Sequence, residues 1–136
     1  MPPTDRFAAE VQFYVRYAET DAQGVVYHAN YLIYMEEART NYARVRGADY
    51  ARFEKTGYGL VVTDAQVHYL YPARYGDRLA VRSWVNDLRS RTITFGYEIV
   101  NADTNQLLVT GETRHICLDR AGKVSRLPAD WATLMR

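Results

Sequence analysis

Cysteine is nearly missing from this chain. Cys117 is the only one among 136 residues, so no disulfide can form within the molecule and nothing points to an oxidising compartment. Long apolar runs are missing too. No stretch approaches the roughly 20 consecutive apolar residues of a membrane-spanning helix. The opening Met1-Pro2-Pro3-Thr4-Asp5-Arg6 has no apolar signal core, so a cytoplasmic protein is expected. Charge of either sign is not in excess: 17 Lys and Arg stand against 16 Asp and Glu. That balance argues against a nucleic-acid partner or a polybasic membrane patch, though a small local patch for a phosphorylated ligand stays open. Internal repeats, linkers and low-complexity tracts are also absent from the sequence. The length suits one domain over residues 1–136.

Several kinds of chemistry lack their residues. Cys, His and acidic side chains do not recur at metal-ligand spacing. His68 and His115 fall in strand-like alternation and are expected to be structural. Ser83, Ser90 and Ser125 lack the context of an activated serine. Cys117, mid-strand, reads as a small buried hydrophobe. Neither a metal nor an organic cofactor is expected.

What the chain has in plenty is tyrosine, twelve in all. Tyrosine buries a ring yet keeps a polar handle, which suits a semi-polar interior or a subunit interface. Residues 10–17 alternate, with Val11, Phe13, Val15 and Tyr17 on one side, and predict a half-buried strand. Residues 30–46 change period. Tyr31, Met35, Ala38, Tyr42 and Val45 form one helical stripe, with Asn30 as N-cap and Gly47 just past the end. A short helical turn is expected over 48–58. From residue 60 the period returns to two, giving strands over 60–71, 79–88, 92–100 and 107–118. Residues 128–136 read as a tail or final turn. One helix followed by four strands with short loops implies an antiparallel α+β sheet. A single long helix cannot cover both of its faces, so an edge or face is expected to meet another subunit.

Thr20-Asp21-Ala22-Gln23-Gly24-Val25-Val26-Tyr27-His28 is the most informative stretch. It sets one carboxylate on a Gly-containing turn just ahead of the helical stripe. A helix start presents N–H groups with no intrahelical partner, and these favour developing negative charge. A carboxylate beside them suits acyl transfer to water. The same Asp and Gly also suit a turn with no chemistry.

The run from Tyr17 to Tyr31, followed by Glu36-Glu37-Ala38-Arg39, resembles the signature of hotdog-fold thioesterases of the 4-hydroxybenzoyl-CoA thioesterase family. It is most similar to the bacterial acyl-CoA thioesterases of the Tol-Pal-associated type. Residues 71–79 and 111–119 agree, and the similarity spans about residues 10–128. Arg126-Leu127-Pro128 with Trp131 is similar to the dihydroxynaphthoyl-CoA thioesterases of the same superfamily.

The resemblance implies a hotdog fold, an antiparallel sheet wrapped around helix 30–46, and hydrolysis of an acyl-CoA with a short aliphatic or an aromatic acyl group. It implies Asp21 as base or nucleophile, the His28 backbone amide as oxyanion donor and Gly24 shaping the approach. Val25, Tyr27, Tyr31, Glu36 and Arg39 are implied on the substrate side. The Glu36–Arg39 spacing is equally that of a helix pair, and the His28 side chain either orients water or substrate or merely packs. Sites between the subunits of a homodimer or homotetramer are implied as well. The carrier, CoA or acyl carrier protein, stays open. Arg74, Arg78, Arg82, Arg89 and Arg91 either meet CoA phosphates or form a solvated sheet edge. The alternatives are a hotdog hydratase or dehydratase, whose His-based motifs are not matched here, and a non-catalytic acyl-thioester-binding protein.

Overall fold

The computed structural model describes residues 2–136. Strand β1 (Ala8–Tyr14) leads through a one-turn 3-10 helix (Tyr17–Glu19) to the long helix α1 (Asn30–Val45) and the short α2 (Tyr50–Lys55). Four strands follow: β2 (Gly59–Tyr69), β3 (Arg78–Leu88), β4 (Thr92–Asn101) and β5 (Leu107–Leu118). Helix α3 (Ala129–Met135) closes the chain. The strands make one antiparallel sheet in the order β1-β3-β4-β5-β2.

The core lies between the sheet and α1. Alternation along β4 sends Ile93, Phe95, Tyr97 and Ile99 inward, and register brings Thr113, His115 and Cys117 of β5 onto the same buried face. Helix α1 buries Tyr31, Tyr34, Met35, Ala38, Tyr42 and Ala43 against it. Gly111 of β5 faces Met35 of α1 closely. A Cβ there would stand 2.4 Å from Cε of Met35 and 3.0 Å from the carbonyl oxygen of Gln66. The missing side chain is what lets the helix lie on the strand.

Helix α1 ends as expected. Gly47 takes φ +80°, its amide donates to the Arg44 carbonyl, and the Ala48 amide donates to the Ala43 carbonyl. This is the paired arrangement that satisfies the last free carbonyls of a helix. Its start differs from expectation. Ala29 is the N-cap, and Asn30 is the first helical residue. The Asn30 side chain donates instead to the carbonyl of Glu19, 2.9 Å away, so a long-range partner takes the group that capping would have used.

Three other expectations need correction. Tyr17 does not continue the buried side of β1. The 3-10 turn swings it outward, where it meets Tyr75 edge-on at 5.6 Å. Val45 lies on the exposed side of α1, while Tyr34 and Ala43 complete the buried stripe. Residues 129–135 form neither a tail nor a single turn but a docked helix of seven residues, burying Trp131, Ala132 and Met135.

The outer face of the sheet is polar and internally paired. Arg82 bridges Glu10 at 2.8 Å and the buried Glu98 at 2.6 Å, and Arg78 pairs with Asp103. Strand β2 is different. Like β1 it is an edge of the sheet, but here Val61, Val62 and Tyr69, with Leu70 and Tyr71 just beyond, are exposed. Among the described residues no helix is long and apolar enough to cross a membrane.

Candidate active site

The turn that carries Asp21 is a small closed excursion between β1 and α1. Thr20 and Val26 face each other as an isolated antiparallel bridge, and the Asp21 amide donates to the Val25 carbonyl at 2.8 Å. Inside this clasp the Gly24 amide reaches the Asp21 carbonyl at 3.0 Å. Gly24 takes φ +80°, in the left-handed region where a Cβ is disfavoured. The Asp21 carboxylate closes the turn with one oxygen, accepting the Gln23 amide at 2.8 Å. Its second oxygen has no partner among the described residues and the side chain is partly open to solvent.

The first helical residue, Asn30, lies four residues past the clasp. The Tyr27 amide donates to the Glu19 carbonyl at 2.9 Å, and the Asn30 amide to the Tyr27 carbonyl at 2.8 Å. Between them the amides of His28 and Ala29 have no acceptor among the described residues. The His28 imidazole is exposed. It stacks beside the Tyr27 ring at 4.5 Å, with Tyr69 edge-on at 6.4 Å. The Tyr69 hydroxyl donates to the His28 carbonyl at 3.1 Å, tethering that residue's backbone to β2.

Two tyrosines on successive turns of α1 brace this assembly. The Tyr31 hydroxyl accepts the Ala73 amide at 3.0 Å, and the Ala73 carbonyl accepts the Val26 amide at 2.8 Å. Val25 bridges Arg74 in the same segment. Tyr34 donates its hydroxyl to Glu19 at 2.9 Å. Burial raises the Tyr31 and Tyr34 hydroxyls above the ordinary phenol range, and for Tyr34 the neighbouring Glu19 carboxylate raises it further. Burial alone would push the Glu19 carboxyl up. Hydrogen bonds from the Arg16 amide, the Arg16 guanidinium and Tyr34 outweigh it, and Glu19 lies below the usual carboxylate range.

Glu36 and Arg39 lie about one and a half to two and a half turns from the start of α1. Their side chains are 3.9 Å apart, a loose pair. Both line a cleft of about 580 Å³ together with Leu60, Phe95, His115 and Trp131. His115 is buried there, its Nε2 2.9 Å from the Thr113 hydroxyl, which in turn meets the Tyr97 hydroxyl at 2.6 Å. Burial, and secondarily the Arg39 guanidinium, hold the His115 imidazole down at about 4. The indole Nε1 of Trp131 is buried with no acceptor among the described residues.

The expected residues therefore fall into two groups. Asp21, Gly24, Val25, Tyr27, His28 and Tyr31 gather around the turn and helix start, while Glu36 and Arg39 belong to the cleft. Three of the five arginines weighed as phosphate contacts are engaged in ion pairs: Arg78, Arg82 and Arg89. His68 is exposed on the β2 edge, and Cys117 is fully buried. Sequence reasoning missed Glu19 and Tyr34, and it singled out Trp131 through its segment's resemblance without placing it in a cleft. Only the position of Glu19 two residues before Asp21 offered a hint.

Residues 15–133 match the thioesterase-like superfamily. The chain is 40% identical over 106 residues to YneP of Bacillus subtilis (strain 168), covering 78% of this chain and 76% of that one. It is 36% identical over 105 residues to the acyl-CoA thioester hydrolase YbgC of Escherichia coli O157:H7, covering 77% and 78% of the two chains. The crystal structure of a DHNA-CoA thioesterase from Staphylococcus aureus superposes with a TM-score of 0.90 at 35% identity, covering 93% of this chain and 87% of that one. With its five-stranded sheet around α1 and this match over nearly its whole length, the chain belongs to the thioesterase-like superfamily.

Proposed function

We propose that this thioester hydrolase cleaves acyl-CoA to the free acid and CoA thiol at the turn between β1 and α1. The observation that carries the reading is the free carboxylate oxygen of Asp21 on a clasped turn leading into unpartnered amides of His28 and Ala29. The substrate carbonyl oxygen accepts the His28 amide, which becomes a stronger hydrogen bond as that oxygen gains charge. Asp21 acts by one of two routes. As base it takes a proton from water as that water's oxygen bonds to the carbonyl carbon; as nucleophile it forms an anhydride that water then opens. In both, the C–S bond breaks, the thiolate leaves and is protonated, and one water is consumed. Gly24 keeps the approach open.

On the substrate side, Val25 and Tyr27 flank the reacting carbonyl. Tyr31 acts from beneath, because its hydroxyl is committed to Ala73. Glu36 and Arg39 hold the acyl group in their cleft. The rings of Phe95 and Trp131, with Arg39 as donor, favour an aromatic acyl group over a short aliphatic one. The relatives' acyl-CoA and DHNA-CoA substrates support this class. The exposed β2 edge and its apolar neighbours support a homodimer with the site between subunits, and dimers pairing into a tetramer. The cytoplasm is the proposed compartment.

Thiol release from benzoyl-CoA, butyryl-CoA and an acyl carrier protein thioester tests this. Release is expected, fastest with benzoyl-CoA, and unchanged by chelator. Asp21→Asn should stay folded and lose ~10²–10⁴-fold in kcat. A change in enoyl absorbance without thiol release would point to a hydratase. Binding without either would point to an acyl-thioester carrier.

A further inference from the structure

Glu19 makes more directed contacts around the turn than Asp21 does. Its carbonyl oxygen accepts two donors, the Tyr27 amide and the Asn30 side chain, each at 2.9 Å. One carboxylate oxygen accepts the Arg16 amide and the Tyr34 hydroxyl, both at 2.9 Å. The other accepts the Arg16 guanidinium at 2.6 Å and 3.1 Å. One residue thus joins the end of β1, the residue just past the clasped turn, and the first two turns of α1. Asp21 lies two positions after this pin, and the free His28 amide follows the residue that the pin's carbonyl holds. The path from carboxylate to oxyanion donor starts and finishes on Glu19.

We propose that Glu19 is the positioning residue of the site, fixing Asp21 relative to the helix-start amides through its bonds to Arg16, Tyr27, Asn30 and Tyr34. The proposal rests on the reading of Asp21 and His28 given above. Glu19 touches no reacting atom. Its carboxylate, held in place by Arg16 and Tyr34, keeps its own carbonyl aimed at Tyr27 and Asn30. Glu19→Gln is nearly isosteric but loses the charge that holds Arg16. Tyr34→Phe removes one donor and leaves the ring.

The test has two arms. In thiol release, Glu19→Gln is expected to lower kcat by about 10- to 100-fold with KM within about threefold, since small misplacements of reacting groups cost that much. Tyr34→Phe should lose less, and the double variant should be no worse than Glu19→Gln alone. In amide hydrogen exchange followed by NMR, Glu19→Gln should speed exchange at Tyr27 and Asn30 by about tenfold while β3 and β4 stay unchanged. An unchanged kcat, a rate loss that only tracks a lowered Tm, or unchanged exchange at Tyr27 and Asn30 would each overturn the proposal. If the wild type released no thiol, the catalytic reading of Asp21 would fall, and the exchange arm would still decide whether Glu19 sets this geometry.

Discussion

His28 offers two groups to the proposed site, and substitution separates them. Among the described residues its exposed imidazole makes only ring contacts, whereas its amide has no acceptor at the helix start. His28→Ala keeps the amide and should lose less kcat than Asp21→Asn. His28→Pro deletes the amide and should raise the barrier by roughly 3–4 kcal/mol, with circular dichroism confirming the fold. His28→Ala as inactive as Asp21→Asn would move the role to the imidazole. His115 makes a different prediction, one of stability. Its imidazole titrates at about 4 when folded, against an ordinary 6.5. Between those values the unfolded chain binds a proton that the folded chain refuses. The stabilisation from neutral His115 is therefore complete above pH 6.5 and is lost as pH falls toward 4. Over the first one and a half pH units of that window the loss is about 2 kcal/mol. Urea melts at several pH values should show it, and His115→Gln should flatten the dependence. The placement of Asp21, Gly24 and His28 on a turn ahead of a helix start was legible because turn chemistry and helix starts are local. Glu19 and Tyr34 were not, because a hydrogen bond across fifteen residues leaves no periodic trace in either segment.

At the level of elements, the contact of α1 with β5 depends on an absent side chain. Gly111→Ala would press a methyl onto Met35 Cε and the Gln66 carbonyl. Met35 is fully buried and cannot swing into solvent, so the cost should be about 1–3 kcal/mol, as for other overpacked cores. A trimmed partner, Met35→Val, should recover part of it in the double variant, and the midpoint of urea unfolding reads both. Most element boundaries could be read from the sequence, since period two and period 3.6 are hard to confuse over ten or more residues. The exceptions have physical causes. Helix α3 is only seven residues, too short to show a stripe, and it is held by docking Trp131 and Met135 rather than by propensity. Tyr17 followed the alternation in sequence, but the Arg16–Glu19 hydrogen bonds end the strand early.

For the whole molecule, the edge to account for is β2, one of the sheet's two edge strands, with its exposed Val61, Val62 and Tyr69. An open edge with apolar residues invites pairing with a second chain. Light scattering should report a dimer or tetramer at working concentration, and Val61→Lys should shift it toward monomer and abolish thiol release together. A fully active monomer would refute the shared site.

Helix α1 carries these jobs at different heights along one rod. Its first residues follow the free amides, Tyr31 and Tyr34 brace the turn, and positions 36–44 line the cleft about 10–20 Å onward at 1.5 Å per residue. On the proposed reading, reactivity and selectivity are therefore physically uncoupled. Substitutions at Glu36, Arg39, Thr40 or Ala43 can change which acyl group is accepted without disturbing the apparatus that opens the thioester. A lineage of such chains could drift in diet while its bond-breaking end stays the same.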